Sequence, residues 1–305
     1  MFRVFVTLIF TSSLLFADLA YAPIPLQKID NMKKYNLGKK LFFDPNLSSD
    51  GTISCAACHV LQNTGVDNLR VSFGVEGRKG IINTPSIFNT KFNIAQDWTG
   101  ESKTIKQRSK MAFLNSIEMN GSFAKTIQYI NSNKELKNHF MQVYQSISED
   151  TILDSIAYFV SNLVTPNSKF DKYIQGDLDS YSKNEVEGYN LFKSYGCVSC
   201  HNGINVGGNM YQKFGVFEEN NIHRDKNLGR YKITKKEYDK YVFKVPSLRN
   251  VSKTYPYLHD GSIEDLDIVI KKMGVHQLGI DIPKEDILKI KLFLKTLDGE
   301  IPSEL

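Results

Sequence analysis

The pentapeptide Cys-x-x-Cys-His occurs twice in the chain, as Cys55-Ala56-Ala57-Cys58-His59 and as Cys197-Val198-Ser199-Cys200-His201, and these use all four cysteines. Two thiols three positions apart on one turn can each add to a vinyl group of a porphyrin, and the next residue is placed to give its imidazole to the iron. The spacing therefore predicts two covalently attached c-type haems, held by Cys55, Cys58, Cys197 and Cys200, with His59 and His201 as proximal ligands. A structural zinc site would want four nitrogen or sulfur ligands, which the two pairs and their histidines could in principle supply. A thioredoxin-like pair needs no following histidine, and a disulfide framework belongs to much shorter chains. The histidine in fifth place both times favours haem, so function is to be read as redox chemistry at iron.

The start of the chain agrees with that chemistry. Val4 to Phe16 is a largely apolar run behind Arg3, followed by small residues at Ala17, Ala20 and Ala22. This reads as an export signal over residues 1–22, cleaved after Ala17 or after Ala22 and too short to span a bilayer. Bacterial haem attachment to thiols takes place outside the cytoplasm, so a periplasmic protein with no membrane span after cleavage is expected. The net charge of +5 comes from lysines scattered among acids and carries no nucleic-acid footprint. The lysines at 235, 236 and 240 read as a solvated face.

About 280 residues remain after processing, enough for two domains of ordinary size. A second repetition supports a duplicated unit: Gly38-Lys39-Lys40-Leu41-Phe42 precedes the first haem motif and Gly188-Tyr189-Asn190-Leu191-Phe192 the second. Ser182 with Glu185 forms a capping box, and Val186, Tyr189 and Phe192 give an apolar side, so a helix should run into the second motif. Each half also closes on an apolar stripe at helical spacing. One is Ile152, Ile156, Phe159 and Leu163; the other is Ile287, Ile290, Leu294 and Leu297, opened by Pro283 and the acids Glu285 and Asp286. A helix before the haem motif and another at the end of the unit is the cytochrome c pattern. The expected fold is mainly α with little β: two cytochrome c-like domains, 23–165 and 166–305, divided near Thr165-Pro166 where proline disfavours further helix. The stretch from Gly203 to Arg230 should form loops around haem edges.

These residues resemble the bacterial dihaem cytochrome c peroxidases over nearly all of the mature chain. Beyond the haem motifs, the resemblance rests on Asn83-Thr84-Pro85-Ser86, Ala95-Gln96-Asp97-Trp98, Ile117-Glu118-Met119-Asn120 and Thr165-Pro166-Asn167-Ser168-Lys169-Phe170-Asp171. Pro246-Ser247-Leu248-Arg249-Asn250 and Tyr255-Pro256-Tyr257-Leu258-His259-Asp260-Gly261 add to it. It implies reduction of hydrogen peroxide to water with electrons from a small c-type cytochrome or a copper protein. They would enter at the C-terminal haem and pass to the N-terminal one, commonly in a homodimer.

An iron with two strong axial ligands shuttles electrons, whereas one with an open position can bind peroxide, so the second ligand decides each haem's job. For the C-terminal haem the resemblance points to Met273, whose sulfur would raise the reduction potential; His276 is the nearby rival. For the N-terminal haem, well-known members carry a distal histidine in the loop matching Ser72-Phe73-Gly74-Val75-Glu76-Gly77, and its place is taken here by Val75. Valine cannot ligate iron. His139 and His223 read as structural or solvated, and His259 and His276 belong to the second unit, so an open or water-bound first iron is expected without reductive priming. Met111 and Met119 remain as sulfur ligands that could close it.

The resemblance makes Glu118 the acid and base for peroxide cleavage. Arg108 stands where many members have glutamine, and Met111-Ala112 where they have Gly-Pro. Arg108 could stabilise charge on a departing oxygen or pair with an acid. Trp98, the only tryptophan, matches an aromatic residue between the haems. A calcium ion is implied between the domains, held by the Asn83 side chain and the carbonyls of Thr254 and Pro256. Two other functions compete: oxidation of a partner protein, whose practitioners place tyrosine where Met273 stands, and a non-catalytic dihaem carrier or sensor with both irons six-coordinate.

Overall fold

The computed structural model describes residues 20–217 and 227–303. The apolar run at Val4 to Phe16, with Arg3 and Ala17, and His223 lie outside the described residues. The described residues are mainly helical, with one small antiparallel sheet among them in which β1 (Tyr211–Lys213) pairs with β2 (Val242–Lys244), Tyr211 opposite Lys244.

Two helix pairs organise the molecule, and both are built on the repeated glycine. α1 (Met32–Phe43) precedes the first haem motif, whose cysteines bracket the single turn α2 (Cys55–Cys58). α3 (Ile105–Leu114), α4 (Phe123–Ser132), α5 (Lys134–Val143) and α6 (Glu149–Ser161) follow. α1 crosses α6 at Gly38, where an added Cβ would collide with the Ser155 carbonyl and the Phe159 side chain. The second pair repeats the arrangement. After α7 (Lys169–Ile174) comes α8 (Lys183–Ser194), then α9 (Tyr231–Thr234), α10 (Leu266–Met273) and α11 (Lys284–Lys295). α8 crosses α11 at Gly188, where a Cβ would collide with the Lys289 carbonyl. The phenylalanines four residues on complete the match: Phe42 and Phe159 lie 5.3 Å apart at 56°, Phe192 and Phe293 5.0 Å apart at 55°. Only glycine lets the backbones approach closely enough for these rings to interlock.

The apolar stripes are the core. Ile152, Ile156, Phe159 and Leu163 are buried in one cluster, and Ile287, Ile290, Leu294 and Leu297 in a second. Each such side chain contributes about 1.5–3 kcal/mol by leaving water. Ser182 and Glu185 make the expected capping box, and Pro283 caps α11, with Glu285 and Asp286 in its first turn. Ser148 with Thr151 and Ser168 with Asp171 cap α6 and α7 the same way.

Short polar links join the clusters. Thr165 is fully buried, and its hydroxyl accepts from the amides of Asn89 (2.8 Å) and Asn250 (2.9 Å). The Ile94 amide donates to Gly208, and Arg230 donates to the Thr99 carbonyl. Each end of the described chain also crosses over: Ile301 packs on the first cluster and Tyr21 on the second. Among the described residues no helix is long and apolar enough to cross a membrane.

Candidate haem and peroxide site

One continuous cavity of about 820 Å³ runs through the seam between the clusters, lined by both haem motifs and by largely apolar walls. Cys58, His59, Cys197, Cys200 and His201 all face it; Cys55 is half-buried and packs on the first cluster instead. All four cysteines are free. Burial pushes the Cys55 thiol up to about 12 and those of Cys58 and Cys197 up to about 11, the opposite of an activated redox pair. Among the described residues no three histidine, cysteine or acidic side chains gather as a metal site.

The two histidines differ in how their other ring nitrogen is held. His59 Nδ1 lies 3.1 Å from the Gly65 carbonyl. His201 Nδ1 is buried without a partner at hydrogen-bonding geometry, although the Val206 and Pro246 carbonyls are near enough to favour its protonation. Burial outweighs them and holds the ring down to about 4; His59 is lowered for the same reason. A buried, neutral imidazole with Nδ1 turned to backbone carbonyls is suited to ligate through Nε2. The cavity, the free thiols beside it and these imidazoles fit two haems.

A third repeat, missed in sequence, supports these rings from behind. Pro85-Ser86-Ile87-Phe88-Asn89 and Pro246-Ser247-Leu248-Arg249-Asn250 occupy matching places. The Ser86 hydroxyl donates to the Thr64 carbonyl (2.6 Å) and the Ser247 hydroxyl to the Asn205 carbonyl (2.9 Å), each fixing the loop just after a haem motif. Asn89 and Asn250 both take left-handed backbone, φ 62° and 61°. The spacing Pro-Ser-x-x-Asn was the available signal.

On the first haem's side, the Asn115 side chain accepts from the Ile117 amide (2.8 Å), and its carbonyl accepts from the amides of Glu118 and Asn120. That turn at the end of α3 brings Glu118 back beneath Arg108. Arg108 Nη2 donates to both Glu118 oxygens, at 3.1 and 3.2 Å, and Asn115 Nδ2 donates to Oε1 at 3.0 Å. Glu118 and Arg108 both line the cavity, about one-third exposed at 37% and 34%. Of the two roles open to Arg108, pairing with an acid is the one observed, and the acid is Glu118.

Val75 is fully buried, does not line the cavity, and donates its amide to the Glu118 carbonyl at 2.9 Å. Gly74 makes this docking possible, since a Cβ there would collide with the Ile117 and Glu118 carbonyls. Asp50 holds the loop from outside by accepting from the Glu76 amide (2.9 Å). Neither spare methionine approaches the cavity: the Met111 sulfur accepts from the Ser102 hydroxyl, and Met119 lies in the first core.

On the second haem's side Met273 ends α10 and lines the cavity among Leu266, Ile270 and Leu294, whereas His276 does not face it. The backbone widens into a π turn at Gly274–Leu278, and Gln277 ties that turn to β1 by accepting from Gly215 and donating to Lys213. At the seam, Trp98 Nε1 donates to the Asn83 carbonyl (2.9 Å) and the Trp98 carbonyl accepts from the Lys244 amide (2.8 Å). Asn83, Thr254 and Pro256 line the same cavity.

Residues 32–179 match the sequence profile of the di-haem cytochrome c peroxidases. The cytochrome c551 peroxidase of Nitrosomonas europaea is 43% identical, over 92% of this chain and 84% of that protein. The chain belongs to the dihaem cytochrome c peroxidase family. Members of this family pair two haems in one chain, as the cavity and the two motifs here require. The cytochrome c peroxidase Ccp of Escherichia coli is 41% identical over 91% of this chain, which spans 60% of that longer protein. Among solved structures, a MauG-like protein associated with microbial copper homeostasis superposes with a TM-score of 0.80 at 26% identity, covering 92% of this chain and 93% of the other.

Proposed function

We propose that the chain reduces hydrogen peroxide to two waters, consuming two protons and two electrons from a small one-electron donor, a c-type cytochrome or copper protein. When bound, the haems supply an iron at which the peroxide O–O bond is broken and a store for the electrons, which enter at the C-terminal haem and pass to the N-terminal one. The observation that carries this reading is the Glu118 carboxylate, fixed by Arg108 and Asn115 at the cavity wall near the first haem motif, with Val75 turned into the protein. Glu118 takes a proton from one peroxide oxygen and returns it to the other as that oxygen leaves as water. Arg108 holds the carboxylate in place and favours negative charge on the departing oxygen.

His59 and His201 would hold the two irons, and Met273 would supply a thioether to the second. That thioether, where practitioners of partner-protein oxidation have tyrosine, favours the peroxidase over that alternative. Trp98 bridges the seam on the electron route. Asn83 donates from Nδ2 to the Leu69 and Arg70 carbonyls, and its Oδ1 would hold a calcium ion together with the Thr254 and Pro256 carbonyls. Domains 23–165 and 166–305 would each carry one haem in a periplasmic homodimer.

Export cleavage falls after Ala17 in this reading. Residues 20–24 are built into the second unit: the Ala20 carbonyl accepts from Gly203, the Ala22 carbonyl from Arg249, and the Ile24 amide donates to Asp171. Cleavage after Ala22 would discard two of these. The test of function is steady-state peroxide reduction with reduced cytochrome c, with and without prior half-reduction. Turnover without priming is expected; no turnover under either condition refutes the proposal.

A further inference from the structure

Among the described residues three cationic side chains, of Arg108, Lys244 and Arg249, line the cavity, and two are already paired. Arg108 holds Glu118, and Arg249, 3% exposed, holds Asp171 at 2.8 Å. The third is Lys244. It is 8% exposed, and among the described residues its ammonium makes no ion pair and no hydrogen bond to a side chain. Asp97, an acid whose charge acts on Lys244, is committed elsewhere: its Oδ1 accepts from the Thr99 hydroxyl and the amides of Thr99, Gly100 and Glu101, and its Oδ2 from the amide of Ser102. Burial holds the lysine down to about 8.

A buried cation without a counter-ion is unfavourable, and evolution of an apolar strand such as Val242-Phe243-Lys244-Val245 would ordinarily fill that place with an apolar residue. The position of Lys244 explains why a charge belongs there. Its amide is bonded to Trp98 at the seam, and three residues on, Ser247 braces the loop behind His201. A haem carries two propionate carboxylates, which must themselves be compensated inside so apolar a cavity. We infer that Lys244 is a haem-carboxylate site, its ammonium forming a buried ion pair with a propionate at the seam between the two units. The inference rests on the two-haem reading and adds to it a residue that fixes haem orientation and, through its charge, the reduction potential.

The test uses the holoenzyme. Haem content by the pyridine haemochrome assay reports on the two-haem reading by itself, since two haems per chain upholds that reading whatever Lys244 does. Spectroelectrochemical titration of Lys244→Met, loaded with both haems, is expected to show one haem's midpoint potential lowered, because a positive charge that favoured the reduced form has gone. Its propionate-bending band in resonance Raman should move as well, and Lys244→Arg should return the potential toward wild type. Unchanged potentials together with an unmoved propionate band in Lys244→Met overturn the inference. Should that variant fail to assemble, Lys244→Arg decides: a propionate band displaced by exchange of ammonium for guanidinium supports the pair, and an unmoved band refutes it.

Discussion

The two units share a scaffold and differ in the side chains that each presents to the cavity. Gly38 and Gly188 seat equivalent helix crossings, Phe42 with Phe159 and Phe192 with Phe293 interlock at nearly equal distances, and Ser86 and Ser247 brace equivalent loops. In the second unit a thioether, Met273, is presented by a helix end amid aliphatic side chains. In the first, the corresponding side holds a carboxylate, an amide and a guanidinium, and the loop that could bring a ligand is locked down with Val75 buried. The units thus keep the same helix crossing and loop brace while the side chains lining their parts of the cavity differ.

The largest expected effect comes from removing the proton carrier. Glu118→Gln should lower peroxide turnover by about 10²–10⁴-fold with both haems retained and the Met273 side spectrally unchanged. Met273→Ala should instead alter the spectrum and potential of the C-terminal haem. If Met273→Ala abolished turnover while Glu118→Gln left it intact, the assigned division of labour would be inverted. Arg108→Gln, which keeps a donor but removes the charge, should cost less than Glu118→Gln; stopped-flow peroxide kinetics can rank the two.

The shared scaffold has its own check. Gly38→Ala and Gly188→Ala should each destabilise the protein by about 1–3 kcal/mol through overpacking at the crossings, measured by denaturant unfolding of the holoprotein. A loss at one site only would show that the units are less alike than their coordinates.

Much of this scaffold was legible in sequence because its signals are local. The haem pentapeptides, the glycine-led repeat, the capping box at Ser182 and the apolar stripes each arise within a few turns of chain. The site was legible only by resemblance, because Glu118 and Arg108 meet through a turn whose hydrogen bonds leave no pattern. Asn115 went unnoticed for that reason. Lys244 gave a signal that went unread, a lone charge inside an apolar strand. The Pro-Ser-x-x-Asn repeat was visible but hidden by unequal spacing from the two haem motifs.

A smaller effect concerns the loop that carries Val75. Hydrogen bonds from the Thr52 hydroxyl and the Glu76 amide hold the Asp50 carboxyl down to about 2, below its ordinary 3.8. A depressed folded-state value means that this anchoring is fully present above pH 3.8 and is lost as pH falls toward 2. Asp50→Asn should flatten that acid dependence in amide exchange at Val75 and Glu76. The mass of the mature protein gives a simple check at the other end of the chain: a product beginning at Asp18 is expected, and one beginning at Pro23 would contradict the packed role of residues 20–24.

The difference between the units is tested most directly by electron paramagnetic resonance and optical spectra of the as-isolated, fully oxidised enzyme. One high-spin ferric haem and one low-spin haem with a sulfur-to-iron charge-transfer band are predicted. Two low-spin haems, with a protein side chain on the sixth position of each iron, would contradict the account.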